Sequence, residues 1–216
     1  EKYIAGDFIG TTLGWFQASF IAIQQDEEQR PVSVIFAVRS IEYEKRKEEQ
    51  LLRSSTTDEL TRCYNRRAYE QDIKKLTADK KFLYLSADVN GLKAVNDRLG
   101  HAAGDELLCG VAGCMKQSFE DYGKVYRIGG DEFVTILFTD EEQFGIIKQN
   151  FDLLVDNWSG DTVPHMSVSC GAVWSDERQW KSVCEIAKLA DQRMYEKKAK
   201  HYARRKSDFQ NWMYKR

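Results

Sequence analysis

The sequence lacks any apolar run close to the ~20 residues that a membrane-spanning helix requires. It also lacks an excess of basic charge, because 32 lysines and arginines face 34 aspartates and glutamates, for a formal net charge of −2. Nucleic-acid-binding domains usually carry a basic face and a pI above about 9. These absences predict no nucleic-acid partner and no membrane contact from this segment. With 42% hydrophobic residues, the composition is typical of a soluble cytoplasmic protein.

The sequence also lacks the residue spacings of zinc sites and disulfide frameworks. No two cysteines form a CxxC pair, and the three histidines show no zinc-ligand spacing. We therefore expect reduced thiols in the core or at the surface, without disulfides. The five cysteines are Cys63, Cys109, Cys114, Cys170 and Cys184.

Residues 127–133, Arg-Ile-Gly-Gly-Asp-Glu-Phe, place two glycines and two carboxylates between two apolar runs. The pattern predicts a β-hairpin whose strands are residues 124–128 and 133–138. Its two-residue loop is predicted to be Gly129 and Gly130, because the central positions of such a loop need φ > 0, which glycine adopts without a steric penalty. A glycine hairpin flanked by surface acids is also common in ordinary sheets, so the motif alone leaves a purely structural role open.

Carboxylates stand at the ends of two separate predicted strands. Asp131 and Glu132 start the returning strand of the hairpin, and Asp88 lies near the end of the apolar strand at 82–90. An unpaired charge at a buried strand end costs several kcal/mol, roughly, unless a cation or hydrogen bonds balance it. Mg²⁺ prefers oxygen ligands and shares them with substrate phosphates. We therefore predict that Asp88 faces Asp131 through a divalent metal; the alternative is that Asp88 caps the following turn.

Several ordered segments between Thr57 and Lys200 resemble one known family. They are residues 58–67, residues 88–97, Gly100-His101, Gly104-Asp105, residues 127–133, residues 167–171, Ala190-Asp191, Met194-Tyr195 and Lys198. In order and spacing they are similar to the GGDEF domain of diguanylate cyclases. Agreement by chance across so many separate blocks is not expected.

The resemblance implies an α/β (α+β) fold, the palm-like fold of nucleotidyl cyclases, with a central mixed five-stranded sheet covered by helices. The predicted elements alternate between helices and strands in a way that agrees with such a sheet. Asn65 is predicted to cap a helix whose apolar face carries Tyr69, Ile73 and Leu76. Two further apolar helix stripes are predicted core: Leu107, Val111, Cys114 and Met115, and then Val183, Ile186, Ala187, Ala190 and Met194.

The resemblance also implies the residues of a metal-dependent active site. The catalytic motif corresponds to Gly129, Gly130, Asp131 and Glu132. Two divalent ions, Mg²⁺ or Mn²⁺, are expected to bind Asp88, Asp131 and the backbone carbonyl of Val89. Glu132 is expected to be the further acid beside the reacting hydroxyl.

Phosphate and base contacts follow from the same resemblance. The backbone amides of Gly91 and Leu92 are expected to meet the terminal phosphates of GTP, with Lys93 and Lys198 adding positive charge. Two further substrate-binding residues, Asn96 and Asp105, are expected to contact guanine. A carboxylate accepts from guanine N1–H and the exocyclic amine, whereas adenine has no donor at N1. Asp105 therefore argues for GTP over ATP.

The implied reaction joins two GTP into cyclic di-GMP and releases two pyrophosphates. Because one domain holds one GTP, two domains must face each other, which implies a homodimer. One alternative is a catalytically silent GGDEF module that binds GTP or cyclic dinucleotide as a sensor or interaction domain; silent members usually lose the hairpin glycines or acids, which this chain keeps. Another is a cyclase with mixed guanine-adenine products, against which Asp105 argues.

The chain departs from the family pattern at three places. Asn90 stands where many relatives have a second aspartate. Residues 120–123, Glu-Asp-Tyr-Gly, lack both charged residues of the Arg-x-x-Asp product-inhibition site, so we predict no feedback inhibition through it. Tyr202 stands at the expected position of a phosphate-binding arginine, for which Arg204 or Arg205 is the predicted substitute.

The sequence predicts three regions. Residues 1–40 resemble the C-terminal end of a PAS sensor domain, with an antiparallel pair of strands at 12–23 and 32–39 that lacks its partners. Residues 41–56 form a charged linker helix, either a single solvated helix or one strand of a parallel coiled coil. Residues 57–216 form the GGDEF catalytic domain. We expect an upstream sensor to control the homodimer through the linker.

Overall fold

The computed structural model describes residues 8–11, 14–28, 30–77 and 80–213. The chain divides into two compact units, Glu1–Ser55 and Thr56–Arg216. Among the described residues, no helix combines the length and the apolar character that crossing a membrane requires.

The first unit contains a three-stranded antiparallel sheet. Its strands are β1 (Phe8–Thr11), β2 (Gly14–Gln25) and β3 (Pro31–Ser40), in that spatial order. The predicted strand pair corresponds to β2 and β3, although Thr12 and Leu13 of the prediction lie outside the described residues. Strand β1 was not predicted, since four residues are too few to show a periodic pattern. The chain then enters the predicted linker helix, α1 (Glu42–Thr56).

The second unit contains a mixed five-stranded sheet, as predicted. The strands are β4 (Tyr64–Asn65), β5 (Leu83–Val89), β6 (Gly123–Arg127), β7 (Glu132–Leu137) and β8 (Val168–Trp174). Their spatial order is β4-β6-β7-β5-β8. Only the pairing of β4 with β6 is parallel, and the other three pairings are antiparallel. Strand β5 therefore lies between two neighbours, and all seven of its residues are buried.

Helices cover the sheet. They are α2 (Arg66–Ile73), α3 (Leu92–Leu99), α4 (His101–Phe119), α5 (Glu141–Asn157) and α6 (Val183–Met213), with a short 3-10 turn at Glu120–Tyr122. The predicted cap of α2 is confirmed, because Asn65 Oδ1 accepts from the Ala68 amide at 3.1 Å. Tyr69 and Ile73 pack with the core as predicted. Leu76 does so too, from three residues beyond the end of α2.

The core has two parts, one on each face of the sheet, and the buried side chains of β5 point alternately into one part and the other. Leu85, Ala87 and Val89 pack into the cluster that contains the buried residues of α4 and α5. Tyr84 packs into the other cluster, with residues of α2 and α6. Because successive strand residues point to opposite faces of the sheet, Asp88 lies on the α6 face.

Gly171 of β8 allows α6 to lie directly on the sheet. A Cβ at this position would overlap the carbonyl oxygen of Ala190 and the amide nitrogen of Met194, both backbone atoms of α6. Backbone atoms in a packed helix cannot rotate away as a flexible side chain can. The close approach therefore requires glycine and sets how near the side chains of α6 come to the end of β5.

The predicted two-residue glycine loop is wrong. Strand β6 ends at Arg127 and β7 begins at Glu132, so four residues separate the strands. Neither Gly129 nor Gly130 has the positive φ that was predicted. The wider loop closes through the Ile128 amide, which donates to the Glu132 carbonyl at 3.0 Å. A longer loop spreads the chain reversal over more residues, so no central position needs a left-handed conformation.

Candidate active site

Strand β5 carries a buried carboxylate to the edge of the sheet. Asp88 is 4% exposed, and its Oδ2 accepts from Lys198 Nζ of α6 at 2.7 Å. Its other oxygen, Oδ1, is buried and has no hydrogen-bond partner. Burial raises the pKa of Asp88 above the usual aspartate value; the hydrogen bond from Lys198 opposes this shift, and the nearby charge of Asp131 adds to it. Asp88 thus carries an oxygen that a cation would satisfy.

The hairpin of β6 and β7 brings the other two acids to this strand end. The Val89 amide donates to the backbone carbonyl of Asp131 at 3.0 Å. Glu132 lies directly opposite Asp88 in the antiparallel register of β7 and β5. The acids that the sequence placed on two distant strands therefore meet at one end of the sheet.

Gly129 leaves room for Glu132. A Cβ on Gly129 would lie 2.7 Å from Glu132 Oε2, whereas a Cβ on Gly130 would meet no atom within 4 Å. A side chain at position 129 would therefore displace the end of the exposed Glu132 side chain, and Gly129 does not serve a left-handed turn. The carbonyl of Gly130 accepts from Arg127 Nη2 at 2.8 Å, which holds the loop against the end of β6.

The donor set suits a hard divalent cation. Asp88 and Asp131 offer carboxylate oxygens, the ligand type that Mg²⁺ and Mn²⁺ prefer, and the buried Oδ1 of Asp88 has no other partner. In the part of the chain that the structure describes, no group of three or more His, Cys, Asp or Glu side chains is arranged to hold a metal ion. A cation here therefore needs ligands besides the protein carboxylates, and substrate phosphates are of the appropriate chemistry.

The N-terminus of a helix follows the strand end, and it begins at a glycine with open space beside it. Gly91 has φ +79 and is the N-cap of α3, and nothing lies within 4 Å of where its Cβ would be. The N-terminus of a helix attracts anions, because its amides are unpaired and the helix dipole is positive there. The residues predicted to bind phosphate, Gly91 and Leu92, thus lie at this helix N-terminus, two and three residues past Val89. Lys93, in the first turn of α3, is exposed.

The two residues predicted to contact guanine lie together on the pair of helices α3 and α4. Asn96 packs so closely on α4 that a Cβ on Gly104 would overlap its Oδ1. Asp105, the next residue, is exposed. The chain turns between the two helices at Gly100, which has φ +88 and whose amide donates to the Asn96 carbonyl at 3.0 Å. The Asn96 side chain thus lies against Gly104, the residue before Asp105.

The family model for the diguanylate cyclase GGDEF domain matches residues 55–204. This chain belongs to the GGDEF family. The probable diguanylate cyclase DgcI of Escherichia coli is 36% identical over 148 residues, which are 67% of this chain and 31% of DgcI. A diguanylate cyclase of Vibrio cholerae is 30% identical over 157 residues, which are 69% of this chain and 49% of that protein. The chain thus spans less than half the length of these relatives.

Solved structures confirm the palm-like cyclase fold of this GGDEF domain. The diguanylate cyclase SiaD of Pseudomonas aeruginosa, in complex with its activator SiaC, superposes with a TM-score of 0.63 at 23% identity, covering 73% of this chain and 64% of that one. The coiled coil and GGDEF domain of DgcB from Caulobacter crescentus, in complex with c-di-GMP, superposes with a TM-score of 0.62 at 21% identity. The match covers 72% of this chain and 86% of that one. At these identities the likeness concerns the fold.

Asn90, the first departure from the GGDEF pattern, has a structural explanation. The residue is 8% exposed, and its side chain bonds two serines that lie in and next to β8. Nδ2 donates to Ser167 Oγ at 3.0 Å, and Oδ1 accepts from Ser169 Oγ at 3.0 Å. An amide supplies both the donor and the acceptor that this pair uses, whereas a carboxylate has no donor.

Tyr202, at the position of the expected arginine, makes a contact that the sequence did not predict. Its hydroxyl accepts from the Gly91 amide at 3.2 Å. The helical spacing from Lys198 to Tyr202 was the available signal, because residues four apart lie on one helix face. The side chains of Arg204 and Arg205, the predicted substitutes, lie outside the described residues.

Asp58 and Arg127 form an ion pair that sequence reasoning also missed. Arg127 Nη1 donates to Asp58 Oδ1 at 3.0 Å, and both side chains are largely buried. Since Arg127 also holds the carbonyl of Gly130, the pair ties the hairpin loop to the segment before α2. Both residues belong to the segments that carry the family resemblance, but no local pattern indicates that they meet.

Proposed function

We propose that this GGDEF domain is a diguanylate cyclase, which condenses two GTP into cyclic di-GMP and two pyrophosphates. One observation carries the proposal: a buried, half-paired Asp88 lies opposite Glu132 and beside the loop of Asp131, next to the N-terminus of α3 at Gly91. Carboxylates that hold metal ions and amides that bind phosphate are two recurring parts of sites for phosphoryl transfer.

Asp88 and Asp131 would hold the divalent cations, with the backbone carbonyl of Val89 as a further ligand. When bound, the cations would supply activation of the attacking hydroxyl and neutralisation of the charge on the leaving pyrophosphate. The proposed number is two, of Mg²⁺ or Mn²⁺. Lys198 already offsets the charge of Asp88 through their ion pair, and its pKa lies above the usual lysine value, because the carboxylate outweighs the opposing effect of burial.

The remaining residues would bind and orient GTP. The amides of Gly91 and Leu92 would receive the terminal phosphates, with Lys93 and Lys198 nearby. Asn96 and Asp105 would contact guanine. A carboxylate at the place of the N1–H disfavours adenine, because adenine has no donor there and its acceptor would face the carboxylate.

Catalysis is proposed to need a homodimer. Each domain holds one GTP, and the 3′-hydroxyl of one GTP attacks the α-phosphate of the other, so two sites must face each other. Glu132 is exposed and lies beside the acids, where it would adjoin the reacting hydroxyl. We further propose that residues 1–40 belong to a PAS-like sensor, that residues 41–56 pass its state to the catalytic domain, and that residues 57–216 perform the reaction.

The test is incubation of the chain at high concentration with GTP and Mg²⁺, followed by mass spectrometry for cyclic di-GMP and measurement of pyrophosphate. We expect both products from the wild type. Asp131→Ala removes a metal ligand and no core volume, so product formation should fall at least a hundredfold while the fold is kept; metal-activated steps lose roughly this much or more when a ligand is lost.

Asp156→Ala on α5 is the matched control, because it removes an exposed carboxylate of the same type far along the sequence. Its activity should equal that of the wild type. Full activity in the Asp131 variant would refute the metal assignment. GTP binding without product in the wild type would favour the silent GGDEF module instead, and cyclization of GTP with ATP would favour the mixed-product enzyme.

A further inference from the structure

We propose that Tyr202 competes with the terminal phosphates of GTP for the Gly91 amide and thereby sets the affinity of the site for the triphosphate. The inference rests on the proposed function, since it concerns the same phosphate site. It goes further because it gives a role to the residue that replaces the arginine expected at this position.

The first argument is the hydrogen bond itself. Tyr202 Oη accepts from the Gly91 amide at 3.2 Å, so a neutral oxygen lies where an anion at this helix N-terminus would accept the same hydrogen. One amide hydrogen cannot satisfy two full acceptors at good geometry. A phosphate oxygen and the tyrosine hydroxyl therefore exclude each other at Gly91.

The second argument comes from the neighbouring side chain on the same helix. Lys198, one helical turn before Tyr202, donates to the buried Asp88 and leaves the other oxygen of that carboxylate unpaired. Helix α6 thus places two side chains over the strand end, one on the carboxylate and one on the amide. The unpaired, buried Oδ1 of Asp88 independently marks this place as one that takes a ligand.

The third argument is the chemical difference between tyrosine and arginine. An arginine carries a permanent positive charge and would add to the attraction for phosphates. A tyrosine is neutral, and the hydrogen bond that it gives up partly offsets the stronger, charge-assisted bond from the amide to phosphate. Tyr202 is 39% exposed, so its ring can turn away from Gly91 without disturbing the core.

The experiment compares wild type with Tyr202→Phe in equilibrium binding of 3′-deoxy-GTP in the presence of Mg²⁺, because this nucleotide lacks the attacking hydroxyl and is not consumed. We expect Tyr202→Phe to lower the Kd about two- to fivefold, the size of one net hydrogen bond between partly exposed groups. GMP, which has no terminal phosphates, should bind both proteins equally. Tyr43→Phe, at a 74% exposed tyrosine of the other unit, is the control and should change neither Kd.

A second measurement tests the contact without nucleotide. The amide resonance of Gly91 in the NMR spectrum should shift in Tyr202→Phe and not in Tyr43→Phe. Weaker or unchanged binding of 3′-deoxy-GTP to Tyr202→Phe would overturn the inference, and so would an unshifted Gly91 resonance. If the wild type makes cyclic di-GMP but Tyr202→Phe does not lower the Kd of 3′-deoxy-GTP, the proposed function stands and the inference about Tyr202 is wrong. If neither protein binds GTP, the proposed function and the inference are both wrong.

Discussion

The Asp58 carboxylate binds two partners from different segments of the chain. Its Oδ1 accepts from the Thr61 amide and hydroxyl at 2.9 and 2.7 Å and from Arg127 at 3.0 Å. Burial alone would raise the pKa of Asp58, but the hydrogen bonds from Thr61 and Arg127 outweigh burial and hold the pKa below the usual value of 3.8. The charged form is therefore favoured by folding.

Asp58→Asn should lower the free energy of unfolding by roughly 1–2 kcal/mol at neutral pH, because it weakens hydrogen bonds to a charged group that is partly exposed. A lowered pKa makes this contribution fully present above the usual aspartate pKa and lost as the pH falls through the lower folded-state value. Urea unfolding between pH 7 and pH 3 measures it: the gap between wild type and variant should close at the acidic end.

The exposed Asp156 on α5 offers a control, since Asp156→Asn changes a surface carboxylate in the same way and should leave the free energy of unfolding at pH 7 close to that of the wild type. A gap that stays constant down to pH 3 would mean that the charge of Asp58 contributes nothing and that the variant acts through packing alone.

At the scale of residues, the sequence indicates which side chains belong to the site but not which side chains they contact. The sequence predicted the three acids of the site, because carboxylates at strand ends need a balancing partner; they are Asp88, Asp131 and Glu132. It did not predict that Lys198 pairs with Asp88, because Lys198 lies 110 residues further along the chain. Asn90 departs from the family pattern, and only its two serine partners, Ser169 of β8 and Ser167 just before it, explain the asparagine.

At the scale of elements, the closeness of α6 to β8 determines where Lys198 and Tyr202 can reach. Gly171 permits this closeness, since the backbone of α6 at Ala190 and Met194 fills the space of a side chain. The helix stripes themselves were predictable from their apolar periodicity, as was the Asn65 cap. The sequence did not predict that Gly129 and Gly130 lack a positive φ. The reason is that the length of the hairpin loop depends on how Arg127 and Ile128 bond across it.

Gly171→Ala should destabilise the second unit by about 1–3 kcal/mol, the usual result of forcing a methyl group into a packed interface. Urea unfolding followed by circular dichroism measures the loss. The reason is steric, because the new methyl group would overlap backbone atoms of α6 that cannot rotate aside.

Gly145→Ala is the matched comparison, because Gly145 lies in the interior of α5 with open space around its Cβ position. Alanine is the better helix former by roughly 0.5–1 kcal/mol, so this variant should gain stability. Equal effects of the two substitutions would show that the contact between β8 and α6 does not constrain the fold.

At the scale of the whole molecule, the proposed reaction needs two chains, since each brings one GTP. The rate of product formation per chain should therefore fall when the protein concentration drops below the dissociation constant of the dimer. Activity assays over a dilution series, with sedimentation velocity at the same concentrations, measure both quantities. The two curves should have the same midpoint.

A rate per chain that stays constant while sedimentation shows monomers would refute the need for a homodimer. Crosslinking α1 helices of two chains would then be expected to have no effect on turnover. If the dimer is needed, the same crosslink should remove the dependence on dilution, because the second chain is then always present at high effective concentration.

The sequence by itself determined the types of chemistry that are available and their local setting: strands that end in acids, amphipathic helices, an asparagine cap and the ordered motifs of the GGDEF family. These follow from short-range periodicity and from residue identity. Tertiary structure alone decided which of these groups meet, namely Asp88 with Lys198, Gly91 with Tyr202 and Asp58 with Arg127. The physical reason is that such contacts join residues 69 to 111 positions apart, and their geometry depends on how distant helices, strands and loops pack together and not on any local pattern.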